Sequence, residues 1–307
     1  MISTAIVFDA DNILWDTDAV FRRAQLGLLQ VFVKEGVIRH AEPELMNLRL
    51  MDKMLAKLYG KFEYDLTSLP IALYRQYHSR ESLIEAAQWT IQHNNSTTDL
   101  IKRACEVFTK NLEDTPPLFE DAKELLHSLQ AFRLAGYPII TIMFSEGEIT
   151  RLSRTIEAHN LRRLRLFDEI VLRPKSIECF QNVRRLALRH LPVDTNNPNS
   201  LLVMIGDSLK RDVMFANLAG FVTVYKPSNF LGQETPCTRE EEPNFQINSL
   251  LALPQVLDEL GASLQQIGAS APSAGYIASG KSGNVYSKDS KGPQPCPPSS
   301  ETHKHQI

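Results

Sequence analysis

The chain has 307 residues, a formal net charge of -3, 43% hydrophobic and 22% charged residues, an ordinary composition for a folded, water-soluble protein. So balanced a charge gives no electrostatic case for nucleic acid as a ligand. The N-terminus lacks a basic stretch and the apolar run PIITIMF is too short to cross a bilayer, so neither export nor membrane insertion is expected. Cys105, Cys179, Cys237 and Cys296 are widely spaced with no CxxC or Cys/His grouping, which points away from zinc and from a disulfide framework and makes a reducing cytoplasm the expected compartment.

Thr4 to Phe8 is a short β-rich apolar run that stops at Asp9, the pattern of a buried parallel strand ending in a polar loop. From about Asp16 to Asp114 the periodicity is helical, with segments such as FRRAQLGLLQVFVKEG and LIKRACEVFTKNLE placing apolar residues on one face. Pro116 and Pro117 end this stretch. After them strands are predicted at 138–144, 169–172, 201–205, 222–225 and 245–247, alternating with helices at 121–132, 148–159, 176–191, 210–218 and 253–260. Such alternation predicts an α/β fold: a Rossmann-like parallel sheet with helices on both faces, built from residues 1–15 and 116–261. Residues 16–115 form an inserted all-helical domain. Beyond Gly261 the composition turns to Ser, Gly, Pro, Ala and Lys, and 262–307 is expected to be a disordered tail, a place for an unknown partner to bind.

Four polar groups each follow a predicted core strand: Asp9 and Asp11 in FDADNILWD, Ser145 in IMFSEG, Lys175 in LRPKS, and Asp207 and Asp212 in VMIGDSLKRD. Parallel strands would bring all four groups to one sheet edge, where ligands bind in such folds. These residue types suit phosphoryl transfer, in which positioning and charge stabilisation carry most of the catalysis. Asp9 can attack phosphorus to give an aspartyl-phosphate. Asp11 lies two residues on, so an extended backbone would point both carboxylates the same way, and Asp11 can serve as the acid and base. Several carboxylates around a phosphate repel one another, by roughly 4 kcal/mol for a pair at 4 Å and an effective dielectric near 20, so a divalent cation is required. Oxygen ligands select a hard ion, and Mg2+ is the usual partner of phosphates. Lys175 adds positive charge and the Ser145 hydroxyl a hydrogen bond to a phosphate oxygen.

In order and spacing these residues resemble the four signature motifs of the haloacid dehalogenase superfamily, over residues 1 to about 260. The resemblance implies a Rossmann-like core with a helical cap inserted after the first motif, corresponding to 16–115. It also implies Asp9 as nucleophile, Asp11 as acid/base, and Ser145 and Lys175 as phosphate ligands. Asp9, the Asp11 backbone carbonyl and Asp207 would hold Mg2+, and Asp212 would hold a metal-bound water or orient Lys175. Two positions depart from the family pattern: Ile13 stands where Thr or Val is usual, and Glu146 where Asn is frequent. Glu146 is therefore expected to meet a phosphate through its backbone N–H alone.

The expected activity is magnesium-dependent hydrolysis of small phosphorylated metabolites. A phosphomutase, a haloacid dehalogenase and a non-catalytic binding protein of the same fold are the alternatives. Halide displacement needs neither the acid Asp11 nor magnesium, which disfavours the dehalogenase. Trp15 could line the substrate entrance or pack in the core, and Lys53, Tyr64 and Arg75 are either substrate contacts or ordinary helix-face residues. The segment GYIASGKS matches a P-loop pattern at Gly275, Gly280, Lys281 and Ser282, but no flanking strand and helix are predicted, so it is read as chance composition.

Overall fold

The computed structural model describes residues 2–60, 67–93, 98–191, 200–228, 233–262 and 276–278. Along the chain run β1 (Thr4–Phe8), α1 (Thr17–Lys34), α2 (Leu45–Tyr59), α3 (Ser68–Ser79), α4 (Leu83–Gln92), α5 (Asp99–Leu112), α6 (Glu120–Leu134), β2 (Ile139–Ser145) and α7 (Ile149–Ala158). Then come β3 (Glu169–Leu172), α8 (Ile177–His190), β4 (Leu201–Gly206), a π-helical turn (Leu209–Val213), α9 (Met214–Leu218), β5 (Val222–Tyr225), β6 (Phe245–Ile247), α10 (Leu253–Glu259) and β7 (Tyr276–Ala278).

These elements form two compact units. The first comprises the described residues within Met1–Asp9, Ser128–Phe144 and Asp168–Ile307, and holds a sheet of order β3-β2-β1-β4-β5-β6-β7. β1 is central, pairing in parallel with β2 (Thr4 opposite Ile139) and with β4 (Thr4 opposite Leu201). All five of its residues are buried, the pattern of a parallel strand covered on both faces. One face packs Ala5, Val7, Ile142, Phe144, Leu202 and Met204 against Phe180, Val183 and Ala187 of α8 and against Ala216 and Phe221. The predicted strand positions agree with β1 to β6 to within a residue or so.

Two elements differ from expectation. The helix expected over 210–218 begins as a π turn, in which Val213 N–H donates to the Ser208 carbonyl five residues back (3.2 Å) before α-helical spacing resumes at Met214. In the expected tail, Tyr276–Ala278 adds an antiparallel strand to β6, pairing Phe245 with Ala278 and Ile247 with Tyr276. The rest of GYIASGKS lies outside the described residues, as does Tyr64.

The second unit comprises Ala10–His127 and Ser145–Phe167. Its helices α1 to α5 share a core of Leu28, Leu29, Phe32, Leu48, Met51, Leu55, Leu73, Ala87 and Phe108, among others. Full burial of a leucine or phenylalanine side chain contributes roughly 1.5–3 kcal/mol. Asp16 caps α1 by accepting from Ala19 N–H, and Ser82 and Glu85 close a reciprocal capping box at α4.

Candidate active site

β1 delivers Asp9 directly after its last residue, with the Asp9 N–H donating to the Ile205 carbonyl of β4 (2.9 Å). β4 in turn ends at Gly206 and hands on to Asp207. Asp9, Asp207 and Asp212 are all buried, and each offers a carboxylate oxygen within 4.8 Å of the others. Lys175 stands immediately before Ser176, the N-cap of α8, and its side chain is only 3% exposed. Its ammonium reaches Asp9 Oδ1 at 2.7 Å and Asp212 Oδ1 at 2.5 Å. The second Asp212 oxygen accepts from Ser208 N–H (3.0 Å). An added Cβ at Gly206 would fall on the Asp212 side chain, so this position has room only for hydrogen.

Burial pushes the Asp9 carboxyl well above the usual carboxylate range; Lys175 pulls it back, while Asp212 and Asp207 raise it further. Burial also works against the Lys175 ammonium, but Asp212 and Asp9 outweigh it and hold the group charged, above the ordinary lysine range. Beside these groups, Glu234 accepts from Leu209 N–H (2.6 Å) and its own N–H donates to the Tyr225 hydroxyl (2.9 Å), tying the turn after Asp207 to the segment after β5.

The donor set fits a hard divalent ion: three convergent carboxylates, all oxygen, with no sulfur or imidazole among them. Three carboxylates and the Lys175 ammonium together carry two formal negative charges, the charge a single Mg2+ balances.

Asp11 and Ser145 belong to the second unit, where Asp11 has partners that the sequence does not announce. The chain turns at once after Asp9: Leu14 N–H donates to the Ala10 carbonyl (2.8 Å), Asn12 N–H to the Trp15 carbonyl (2.8 Å), and Asn12 adopts φ 60°. The strand ends at Phe8, so side-chain alternation does not extend to Asp11, contrary to the extended backbone expected there. Asp11 Oδ1 accepts from the Trp15 indole (2.7 Å), the Thr17 hydroxyl (2.6 Å) and Arg151 Nη1 (3.0 Å), and Oδ2 accepts from Arg151 Nη2 (2.6 Å). Burial alone would raise the Asp11 pKa; the Arg151 hydrogen bonds and charge, with Thr17 and Trp15, overcome it and leave it below the usual range. Trp15 is fully buried, which settles it as a core residue that also orients Asp11.

Ser145 ends β2 and is buried, with its hydroxyl 3.5 Å from the Glu146 carbonyl. Glu146 is half-buried, Gly147 follows at φ 137°, and Glu148 caps α7 by accepting from Thr150 and Arg151 N–H. Arg75 pairs with Glu81 (2.6 Å) and lies 3.9 Å over the Trp89 ring, while Lys53 is exposed on α2.

Neither a family model nor a curated protein matches the sequence. Solved structures do. A haloacid dehalogenase-like family hydrolase from Xanthomonas campestris superposes with a TM-score of 0.54 at 18% identity, over 85% of this chain and 97% of the other. This is the haloacid dehalogenase-like fold. YfnB from Bacillus subtilis, assigned as a HAD-hydrolase and bound to magnesium in its crystal structure, matches with a TM-score of 0.50 at 17% identity, over 84% of this chain and all of the other. A protein assigned as a haloacid dehalogenase-like hydrolase from Burkholderia xenovorans gives 0.50 at 14% identity, over 84% and 98%. Asp9, Lys175, Asp207 and Asp212, which the sequence suggested as residues of the first, third and fourth motifs of that superfamily, lie together in one unit. Sequence reasoning missed Arg151, Thr17 and Glu234: each is a lone polar residue on a helix or loop, without a motif to single it out.

Proposed function

We propose that this chain is a magnesium-dependent phosphohydrolase of small phosphorylated metabolites, acting through an aspartyl-phosphate on Asp9. The observation that carries this reading is the buried cluster of Asp9, Asp207 and Asp212 closed by Lys175. A purely structural role would be a costly use of three carboxylates and an ammonium, since apolar side chains fill such a space at no desolvation penalty. The HAD-like fold and the magnesium bound to YfnB support the same reading.

Asp9 forms the new oxygen–phosphorus bond as the bond from phosphorus to the leaving oxygen breaks, and the electron pair departs with that oxygen. In its protonated form Asp11 gives the leaving oxygen its proton, and in the carboxylate form that Arg151, Thr17 and Trp15 favour it takes one from the water that attacks the aspartyl-phosphate, which restores its proton, returns Asp9 and releases inorganic phosphate. Lys175 holds positive charge beside Asp9, and Ser145 with the Glu146 N–H offers donors to phosphoryl oxygens. Asp9, Asp207, Asp212 and the Asp11 carbonyl would hold Mg2+, which when bound supplies Lewis-acid stabilisation of the phosphoryl charge.

One observation favours a second reading, a binding protein of this fold without turnover: four donors already engage Asp11. A screen of phosphorylated metabolites and a generic aryl phosphate separates the two. Phosphate release that requires Mg2+ and disappears in Asp9→Asn is expected. Undiminished release in that variant, or in excess chelator, overturns the mechanism.

A further inference from the structure

Arg151 belongs to none of the motifs, yet among the described residues it alone grips Asp11 through two bonds. Its guanidinium spans the carboxylate as a fork, Nη1 to Oδ1 at 3.0 Å and Nη2 to Oδ2 at 2.6 Å, with both side chains about one-fifth exposed. Such a planar two-point contact fixes orientation as well as distance, which a lysine cannot do. The arginine is itself braced. Glu148 caps the first turn of α7 and accepts from the Arg151 N–H at 2.6 Å, so the backbone that carries the fork is fixed. A Cβ at Gly147 would stand 3.1 Å from Arg151 Nη2 and 3.9 Å from Asp11 Oδ2, and at φ 137° a side chain would also be strained. The glycine therefore leaves a seat for the guanidinium. With Trp15 and Thr17 holding Oδ1 from other directions, both torsions of the Asp11 side chain are fixed. Among the described residues Oδ1 has three donors and Oδ2 one, which leaves Oδ2 a further acceptor position.

We infer that Arg151 is a positioning residue for Asp11: its fork, seated against Gly147, sets the orientation in which the Asp11 carboxylate works. The catalytic part of this inference rests on the phosphohydrolase reading; the positioning part does not.

The test uses the full chain with Mg2+ and an aryl phosphate, comparing Arg151→Met, Arg151→Lys, Asp11→Asn and the Arg151→Met/Asp11→Asn double variant. Arg151→Met is expected to lower kcat about a hundredfold with KM unchanged, the scale of a catalytic group misplaced by about an ångström. Arg151→Lys is expected to restore little of it. In the Asp11→Asn background the arginine substitution is expected to cost nothing more, because the role inferred for it runs through Asp11. A raised KM with kcat intact, or an equal loss in the Asp11→Asn background, would overturn the inference by making Arg151 a substrate contact.

A second readout needs no turnover. The chain has two tryptophans, so Trp89→Phe identifies the Trp15 indole N–H resonance, which reports the hydrogen bond to Asp11 Oδ1. That resonance is expected to move in Arg151→Met and in Gly147→Ala, in proteins whose thermal midpoints show them folded. A resonance unmoved by Arg151→Met refutes the positioning role. If the unaltered chain releases no phosphate from any substrate, the phosphohydrolase reading fails alone and the indole resonance still decides the role of Arg151.

Discussion

Lys175 carries its ammonium into a space where its side chain is 3% exposed and where Asp9 and Asp212 both accept from it. Removing one member of a buried ionic group leaves the others uncompensated, at a cost of about 3–5 kcal/mol, whereas removing charge on both sides is far milder. Lys175→Met is therefore expected to lose several kcal/mol in chemical denaturation without added metal, and Lys175→Met/Asp212→Asn to recover part of that loss. A loss below about 1 kcal/mol for the single variant would place the pair among weak surface contacts. Arg151 differs in kind. Its partner Asp11 has two further side-chain donors, so its removal is expected to appear in orientation and kcat more than in stability.

At the scale of elements, the turn after β4 shows how one side chain can set a backbone form. Asp212 folds back to accept from Ser208 N–H, while Ser208 O accepts from both Asp212 N–H and Val213 N–H, and the first turn widens into a π turn. Gly206 makes room for this. Gly206→Ala is expected to displace Asp212 and to destabilise by about 1–3 kcal/mol, the usual cost of overpacking, as read by thermal denaturation. An unchanged thermal midpoint would mean that Asp212 yields freely. The same contrast explains what the sequence could tell. β1, β2 and β4 are readable because a parallel strand buried on both faces is an unbroken apolar run, and Asp9 and Asp207 because each directly follows such a run; Lys175 comes three residues after the short, half-buried β3 and is readable only in the company of the others. The π turn is not, since it depends on an aspartate meeting a backbone N–H four residues before it. Nor is the Asp11 setting: an arginine 140 residues away has no local signature, and the turn at Ala10 ends the alternation that would point Asp9 and Asp11 the same way.

For the molecule as a whole, a ligand that binds only the folded chain raises its stability by mass action, by about 2.7 kcal/mol at a hundredfold excess over Kd. Mg2+ is expected to raise the thermal midpoint, and Asp207→Ala to abolish the rise; a rise that survives that substitution would move the ion elsewhere. Truncation after Ala262 removes β7, which lies at the sheet edge with three strands between it and β1. Turnover is expected to persist in the truncated chain, and its loss would give the C-terminal residues a part in the activity. The central place of β1 has a further consequence. Its amides sit between two parallel neighbours, in the part of a fold that opens only when the whole fold does. Thr4–Phe8 should thus be among the slowest amides to exchange with deuterated water, and Asp9, attached to their end, is carried on the stretch of chain that local breathing disturbs least.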